Sequence, residues 1–143
     1  MRYLDAVCAV ANDPAYGSIW ECYAPERYRP ATAEAGEMVR ADFVGWSGIA
    51  PITMLIENII GLRFNARHNT VNFRLFPNRC CGLRNMRFNG NVICVECTEY
   101  IPVEGRSSIR VSAQKPFTLQ VNTNYSWGET VIEVPAGEHN FKV

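Results

Sequence analysis

The sequence lacks an excess of charge of either sign. Fourteen Lys and Arg are matched by fourteen Asp and Glu, a net charge of zero over 143 residues. Nothing in it resembles a basic arm, so the long-range electrostatic pull of nucleic-acid binders is missing and no such partner is expected. Long apolar runs are lacking too. The longest, residues 49–60, contains Thr53, Glu57 and Asn58 and is too short to span a bilayer, so no membrane partner is expected. Residues 1–11 carry Arg2 and Asp5 without an apolar core, so they do not read as a signal peptide and a cytoplasmic location is expected. There is no glycine-rich phosphate loop, and Ser47 has no Gly-x-Ser-x-Gly context. Histidine is scarce: His68 and His139 stand far apart with no carboxylate or cysteine pattern, and read as surface or turn residues. No cofactor is expected.

What is present suffices for a core. The chain is 48% hydrophobic and 20% charged, about the size of one ordinary domain, and a soluble globular protein is expected. Six cysteines stand at positions 8, 22, 80, 81, 94 and 97. Cys80-Cys81 followed by Cys94-x-x-Cys97 has the faint look of a zinc site, but vicinal cysteines rarely present both thiolates to one metal. In a strand, residues three apart also point to opposite faces. Packed, reduced thiols and no metal are therefore expected.

The hydrophobic period changes near residue 65. Tyr3, Leu4, Val7, Val10 and Ala11 predict a helix over 2–12, stopped by Asp13-Pro14. Residues 15–42 show no sustained period and are punctuated by Gly17, Pro25, Pro30 and Gly36; long irregular segments of this kind are usually functional or mobile. Ser47 is placed to cap a second helix that tolerates Pro51 in its first turn and ends at Gly61. Ile49, Ile52, Leu55, Ile56, Ile59 and Ile60 cover most of its circumference, so it needs partners on several sides. Later the period is two. Val71, Phe73 and Leu75 alternate with polar residues, Asn89-Gly90 joins two strands as a hairpin, and Ile109, Val111 and Ala113 form another strand. Phe117, Leu119 and Val121 follow the Lys115-Pro116 break, and residues 130–134 and 139–143 form a last pair around Pro135-Ala136-Gly137-Glu138. The fold class is α+β: two N-terminal helices with a long irregular loop in 1–65, then an antiparallel β-sandwich of about seven strands in 66–143, together one compact unit.

Chemistry is concentrated in the irregular segment. Glu21 stands between Trp20 and Tyr23, with Pro25 and Glu26 following, and Asp42-Phe43-Val44-Gly45-Trp46-Ser47-Gly48 opens the second helix. Sugars stack apolar ring faces on Trp and Tyr and offer hydroxyls to carboxylates, so a Glu flanked by aromatics suits a glycan site. Burial beside rings would also raise a carboxyl pKa and suit proton transfer. The plainer alternative is a surface carboxylate beside core aromatics, and both stay open. Glu57 on the apolar helix reads as structural, Asp42 as a cap, and Arg27, Arg29, Arg40 and Arg63 as solvated charges. Asn124-Tyr125-Ser126 is a glycosylation triplet that matters only in an exported chain.

The order Trp20-Glu21-x-Tyr23-x-Pro25-Glu26, a loop, then Asp42-Phe43-x-Gly45-Trp46-Ser47-Gly48 resembles the C-terminal end of the (α/α)6-barrel glycoside hydrolases. These are the enzymes of the mannosylglycerate-hydrolase-like, trehalase and processing α-glucosidase type. Leu55-Ile56-Glu57-Asn58-Ile59-Ile60-Gly61, Gly82-Leu83-Arg84 and Val134-Pro135-Ala136-Gly137 look like the mannosylglycerate-hydrolase-like members. The resemblance covers most of the chain, with its specific motifs in residues 18–61. It implies that Glu21 is the inverting general base, that Trp20, Tyr23 and Trp46 wall the sugar pocket, and that the substrate is an α-glycoside. The family's general acid is an Asp in an upstream part of the barrel that this chain does not contain. Inverting hydrolysis needs both groups, roughly 6.5–9.5 Å apart.

The leading expectation is therefore a C-terminal piece of an inverting glycoside hydrolase, inactive alone. The alternative is a non-catalytic β-sandwich module that binds glycan or a protein partner. A third reading, a complete small enzyme pairing Glu21 with Glu26, Glu34, Glu37 or Asp42, lacks a barrel to hold two carboxylates rigidly. Without barrel neighbours the apolar helix would drive homo-oligomer formation or fold onto the sandwich.

Overall fold

The computed structural model describes residues 2–34, 36–39, 44–76, 80–101, 106–123 and 129–143; the side chains of Arg2, Trp46 and Ser47 are outside this description. The chain forms two compact units, Met1–Leu55 and Ile56–Val143. The boundary expected from the sequence, at 65 within one compact unit, lies ten residues later than the division between Leu55 and Ile56. The residues just before 66 already belong to the sandwich, because Leu62 and Phe64 continue its apolar alternation.

In the first unit the helical spacing produces α1 (Arg2–Asn12), which buries Ala6, Val7 and Val10. Asn12 closes the last turn by donating from Nδ2 to the Cys8 carbonyl at 2.8 Å. Asp13 then turns the chain: its Oδ1 accepts from the Ala15 N–H at 2.9 Å, and its carbonyl accepts from Tyr16 and Gly17. The described residues from 13 to 44 hold neither helix nor strand, only isolated bridges between Tyr23 and Pro30 and between Thr32 and Met38. The second helix differs from expectation at its start. Gly45–Gly48 is a 3-10 turn, and α2 (Ile49–Met54) is capped by Gly48 with no side-chain hydrogen bond, not by Ser47. Ile49, Ile52 and Leu55 are exposed.

Leu55–Ile60 continues as a π-helical segment, wider than an α-helix. The Gly61 N–H reaches back five residues to the Ile56 carbonyl at 2.9 Å, and Gly61 takes φ +93°, which ends the helix where glycine was expected to end it. Ile56 and Ile60 pack on the sandwich core.

Among the described residues the sandwich has eight strands: β1 (Leu62–Asn65), β2 (Thr70–Leu75), β3 (Gly82–Phe88), β4 (Asn91–Ile101), β5 (Arg106–Ala113), β6 (Phe117–Thr123), β7 (Glu129–Val134) and β8 (Gly137–Lys142). One sheet runs β1-β2-β6-β7 and the other β3-β4-β5-β8. Alternation assigns the inner faces: Val71, Phe73, Leu75, Ile93, Val95, Ile109, Val111, Leu119 and Val121 are all buried. Asn89 and Gly90 take φ of 51° and 68°, the positive pair required by a tight two-residue hairpin between β3 and β4.

Two details depart from a purely antiparallel reading. β2 pairs with β6 in parallel, Asn72 beside Gln120 and Arg74 beside Asn122. The last two strands do not pair with each other, since β7 joins β6 and β8 joins β5. The cause is the chain's route: after β2 it builds β3, β4 and β5 in the other sheet, then returns as β6 beside β2. A connection that long can bring a strand back in either direction.

Buried polar groups lock the sandwich. Asn91 is 3% exposed, and its side chain donates to the Lys115 carbonyl at 2.7 Å and accepts from the Gln114 and Lys115 N–H groups at 2.9 and 3.0 Å. It ties the start of β4 to the β5–β6 turn. On the outer face of the same sheet, Glu96 accepts from Arg84 Nε at 2.6 Å and from Arg110 Nε and Nη2 at 3.2 and 2.7 Å. The Arg110 hydrogen bonds, with Arg84 adding to them, hold its carboxyl below the ordinary value of 4.5 against the opposing effect of burial. Because the folded value lies below the unfolded one, this stabilisation is complete above the unfolded value and is lost as pH falls through the folded value. Glu96→Gln is accordingly expected to lower the melting midpoint at neutral pH and to flatten its fall below about pH 5. Thermal melts across a pH series check this; parallel pH curves for the two proteins would contradict it.

Candidate functional site

The irregular segment closes on itself around Tyr23. The Ala24 N–H donates to Arg29 and the Ala31 N–H to Cys22, both at 3.0 Å, so residues 22–31 fold into a short hairpin-like loop with Pro25 in its outward arm. The Tyr23 hydroxyl accepts from the Trp20 backbone N–H at 2.9 Å, and its ring meets the Tyr3 ring edge-on with centroids 5.9 Å apart. Burial pushes the Tyr23 phenol above its usual value of 10.0, partly offset by the Trp20 hydrogen bond, so it stays protonated at neutral pH.

Below this loop lies an open cleft of about 800 Å³, lined among others by Tyr3, Glu21, Tyr23, Glu26, Arg27 and Tyr28. Glu21 is half-buried and its Oε2 is shielded from solvent. Tyr28 is 60% exposed and stands at the rim. The cleft combines aromatic edges, two carboxylates and one guanidinium, all within the first unit. Such a surface can stack on an apolar ring face and hydrogen-bond its polar edge.

Of the four residues singled out from the sequence, the structure brings Glu21 and Tyr23 into one cleft. Trp20 stands elsewhere. It is 6% exposed, its ring meets Tyr16 edge-on at 6.3 Å, and its Nε1 is buried with no hydrogen-bond partner among the described residues. It is a buried residue and does not line the cleft. Trp46 lies in the 3-10 turn, with its side chain outside the described residues; Asp42, Arg40 and the 124–126 triplet also lie outside them. The cleft also holds Tyr3, Arg27 and Tyr28, which the sequence does not group with Glu21. Tyr3 was legible only as an apolar position of α1, and nothing in the spacing shows that α1 supplies a wall of the cleft.

The other candidates have structural surroundings. Glu57 pairs with Arg63 at 3.3 Å. His68 lies in an exposed 3-10 turn and His139 is half-buried on β8. All six cysteines are free thiols. Cys97 points into the core, where burial, with Cys80 and Cys81 nearby, pushes its thiol up to about 11. Cys94, on the opposite face, accepts from the Asn85 N–H at 3.3 Å. Among the described residues no three His, Cys, Asp or Glu side chains converge to hold a metal, and no helix is long and apolar enough to cross a membrane.

The chain matches no protein family, no curated protein and no solved structure.

Proposed function

We propose that the first unit carries the base half of an inverting glycoside hydrolase site, with Glu21 as the general base and an α-glycoside as the substrate. The observation that supports this most is the placement of the Glu21 carboxylate in one cleft with the rings of Tyr3, Tyr23 and Tyr28. In this reading Glu21 takes a proton from a water molecule as that water attacks the anomeric carbon. A separate carboxylic acid protonates the departing glycosidic oxygen. The acid is assigned to none of the residues of this chain, so the chain alone binds sugar without turning it over. The exposed Ile49, Ile52 and Leu55 belong to the same reading, as the apolar surface that a homo-oligomer covers.

Titration of the 143-residue chain with α-linked disaccharides tests the proposal. Weak binding without hydrolysis is expected. Tyr28→Ala, a substitution at an exposed position, weakens binding about fivefold or more through loss of ring contact. Glu21→Gln keeps binding, because the amide preserves shape and hydrogen-bonding capacity. Absence of binding to every α-glycoside, or binding indifferent to Tyr28, overturns the reading. Hydrolysis by the isolated chain that disappears in Glu21→Gln would instead make it a complete enzyme.

A further inference from the structure

The sandwich has a cleft of its own, on the outer face of the β1-β2-β6-β7 sheet. Because Val71, Phe73, Leu119 and Val121 face inward, their neighbours Asn72, Arg74, Gln120 and Asn122 must face outward. The parallel pairing of β2 and β6 sets Asn72 beside Gln120 and Arg74 beside Asn122. β1 adds Arg63 next to Asn72, and β7 adds Glu129 next to Asn122. The result is two adjacent rows of polar side chains on neighbouring strands. Glu57 and Asn58 of the π-helical segment, together with Phe76, wall this surface into a cleft of about 570 Å³. That volume falls within the roughly 300–1,000 Å³ typical of small-molecule sites.

Three properties define what fits there. First, the charges cancel: Arg63 and Arg74 are balanced by Glu57 and Glu129, and the Glu57–Arg63 pair is already formed. A phosphate or an ammonium group gains little from such a lining. Second, Asn58, Asn72, Gln120 and Asn122 make no side-chain hydrogen bond among the described residues. Asn65, Asn69, Asn89 and Asn91, by contrast, bind turns or neighbouring loops. Third, each uncommitted amide offers both an acceptor and two donors, the complement of a hydroxyl group that donates and accepts. Phe76 at the edge adds an apolar surface, with the Arg74 guanidinium 5.3 Å from its ring centre.

We propose that this cleft binds a neutral saccharide, its hydroxyl groups held by Asn72, Gln120 and Asn122. The site is independent of the Glu21 cleft: it lies in the other unit and shares no residue with it. It stands whether or not Glu21 is a general base.

The test is a two-dimensional NMR titration of the full chain with neutral trisaccharides (maltotriose, mannotriose, cellotriose and xylotriose), with inorganic phosphate as the charged comparison. Saccharide-dependent shifts at the side-chain amides of Asn72, Gln120 and Asn122 are expected, with none from phosphate. Gln120→Ala is expected to weaken binding about fivefold, the equivalent of one hydrogen bond. Asn122→Ala, at an exposed position, repeats the test in a chain whose core is untouched. The proposal is overturned if no trisaccharide shifts these amides, if phosphate alone does, or if the shifts survive in the Gln120→Ala, Asn122→Ala double variant. Shifts confined to residues 3–28 would support the Glu21 reading and overturn this one.

Discussion

Phe73→Ala is expected to lower the unfolding free energy of the sandwich by about 3–5 kcal/mol, the range for truncating a fully buried aromatic side chain. Phe73 is completely buried in β2, with β1 on one side and β6 on the other. Its register neighbours are Leu62 on β1 and Val121 on β6, both as inaccessible as itself. Truncation therefore removes the transfer free energy of the ring and also leaves a void beside a strand, β2, that is tied on both edges and cannot readily collapse into it. Urea denaturation followed by circular dichroism measures the loss. A change below about 1 kcal/mol would mean that the two sheets do not close over this position.

Gly61→Ala has the second largest expected effect, about 2–4 kcal/mol, from two causes that add. Gly61 sits at φ +93°, where an L-residue is strained, and a Cβ there would be driven into the Arg74 carbonyl oxygen and against the Phe76 ring. Relaxation is blocked on both sides. The Gly61 N–H is held by Ile56, and the Gly61 carbonyl accepts from the Arg74 N–H at 2.8 Å. Gly90→Ala separates the two causes. Gly90 also has positive φ, +68°, but among the described residues the only atom near its added Cβ is the end of the Lys115 side chain at 3.6 Å. It should cost only about 1 kcal/mol. Equal losses at the two glycines would show that the contact with Arg74 contributes nothing.

These two positions also mark how far the sequence could be read. Gly61 was legible as a helix terminator, because glycine after an apolar helical run is the common stop signal. Its contact with the backbone of β2 was not, since only the fold brings residue 74 next to residue 61. Phe73 was legible as a core residue from the alternation of 71, 73 and 75. The π-helical widening of 55–60 and the short β1 were not, because four residues carry too little period to separate a strand from the end of a helix. Ser47 illustrates a local rule overridden: the 3-10 turn Gly45–Gly48 moves the helix start past it, and Gly48 caps with backbone alone. In the candidate site, the Glu21–Tyr23 pairing followed from adjacency in the chain. Trp20, equally adjacent, went to the interior instead.

The sequence by itself determined which segments are helical, where the long irregular stretch falls, which face of each longer strand turns inward, and where the Asn89-Gly90 hairpin lies. All of these depend on residues within a few positions of one another, through side-chain periodicity and the φ preferences of glycine and asparagine. Only the tertiary structure decided which strands are neighbours. Period-two alternation is the same whether a strand's partner runs parallel or antiparallel, and it is silent about which strand that partner is. The parallel placement of β6 beside β2, and with it the row of amides at 72, 120 and 122, arises at that level. So does the meeting of Tyr3 with Glu21, two residues that the chain separates by most of a helix and a turn.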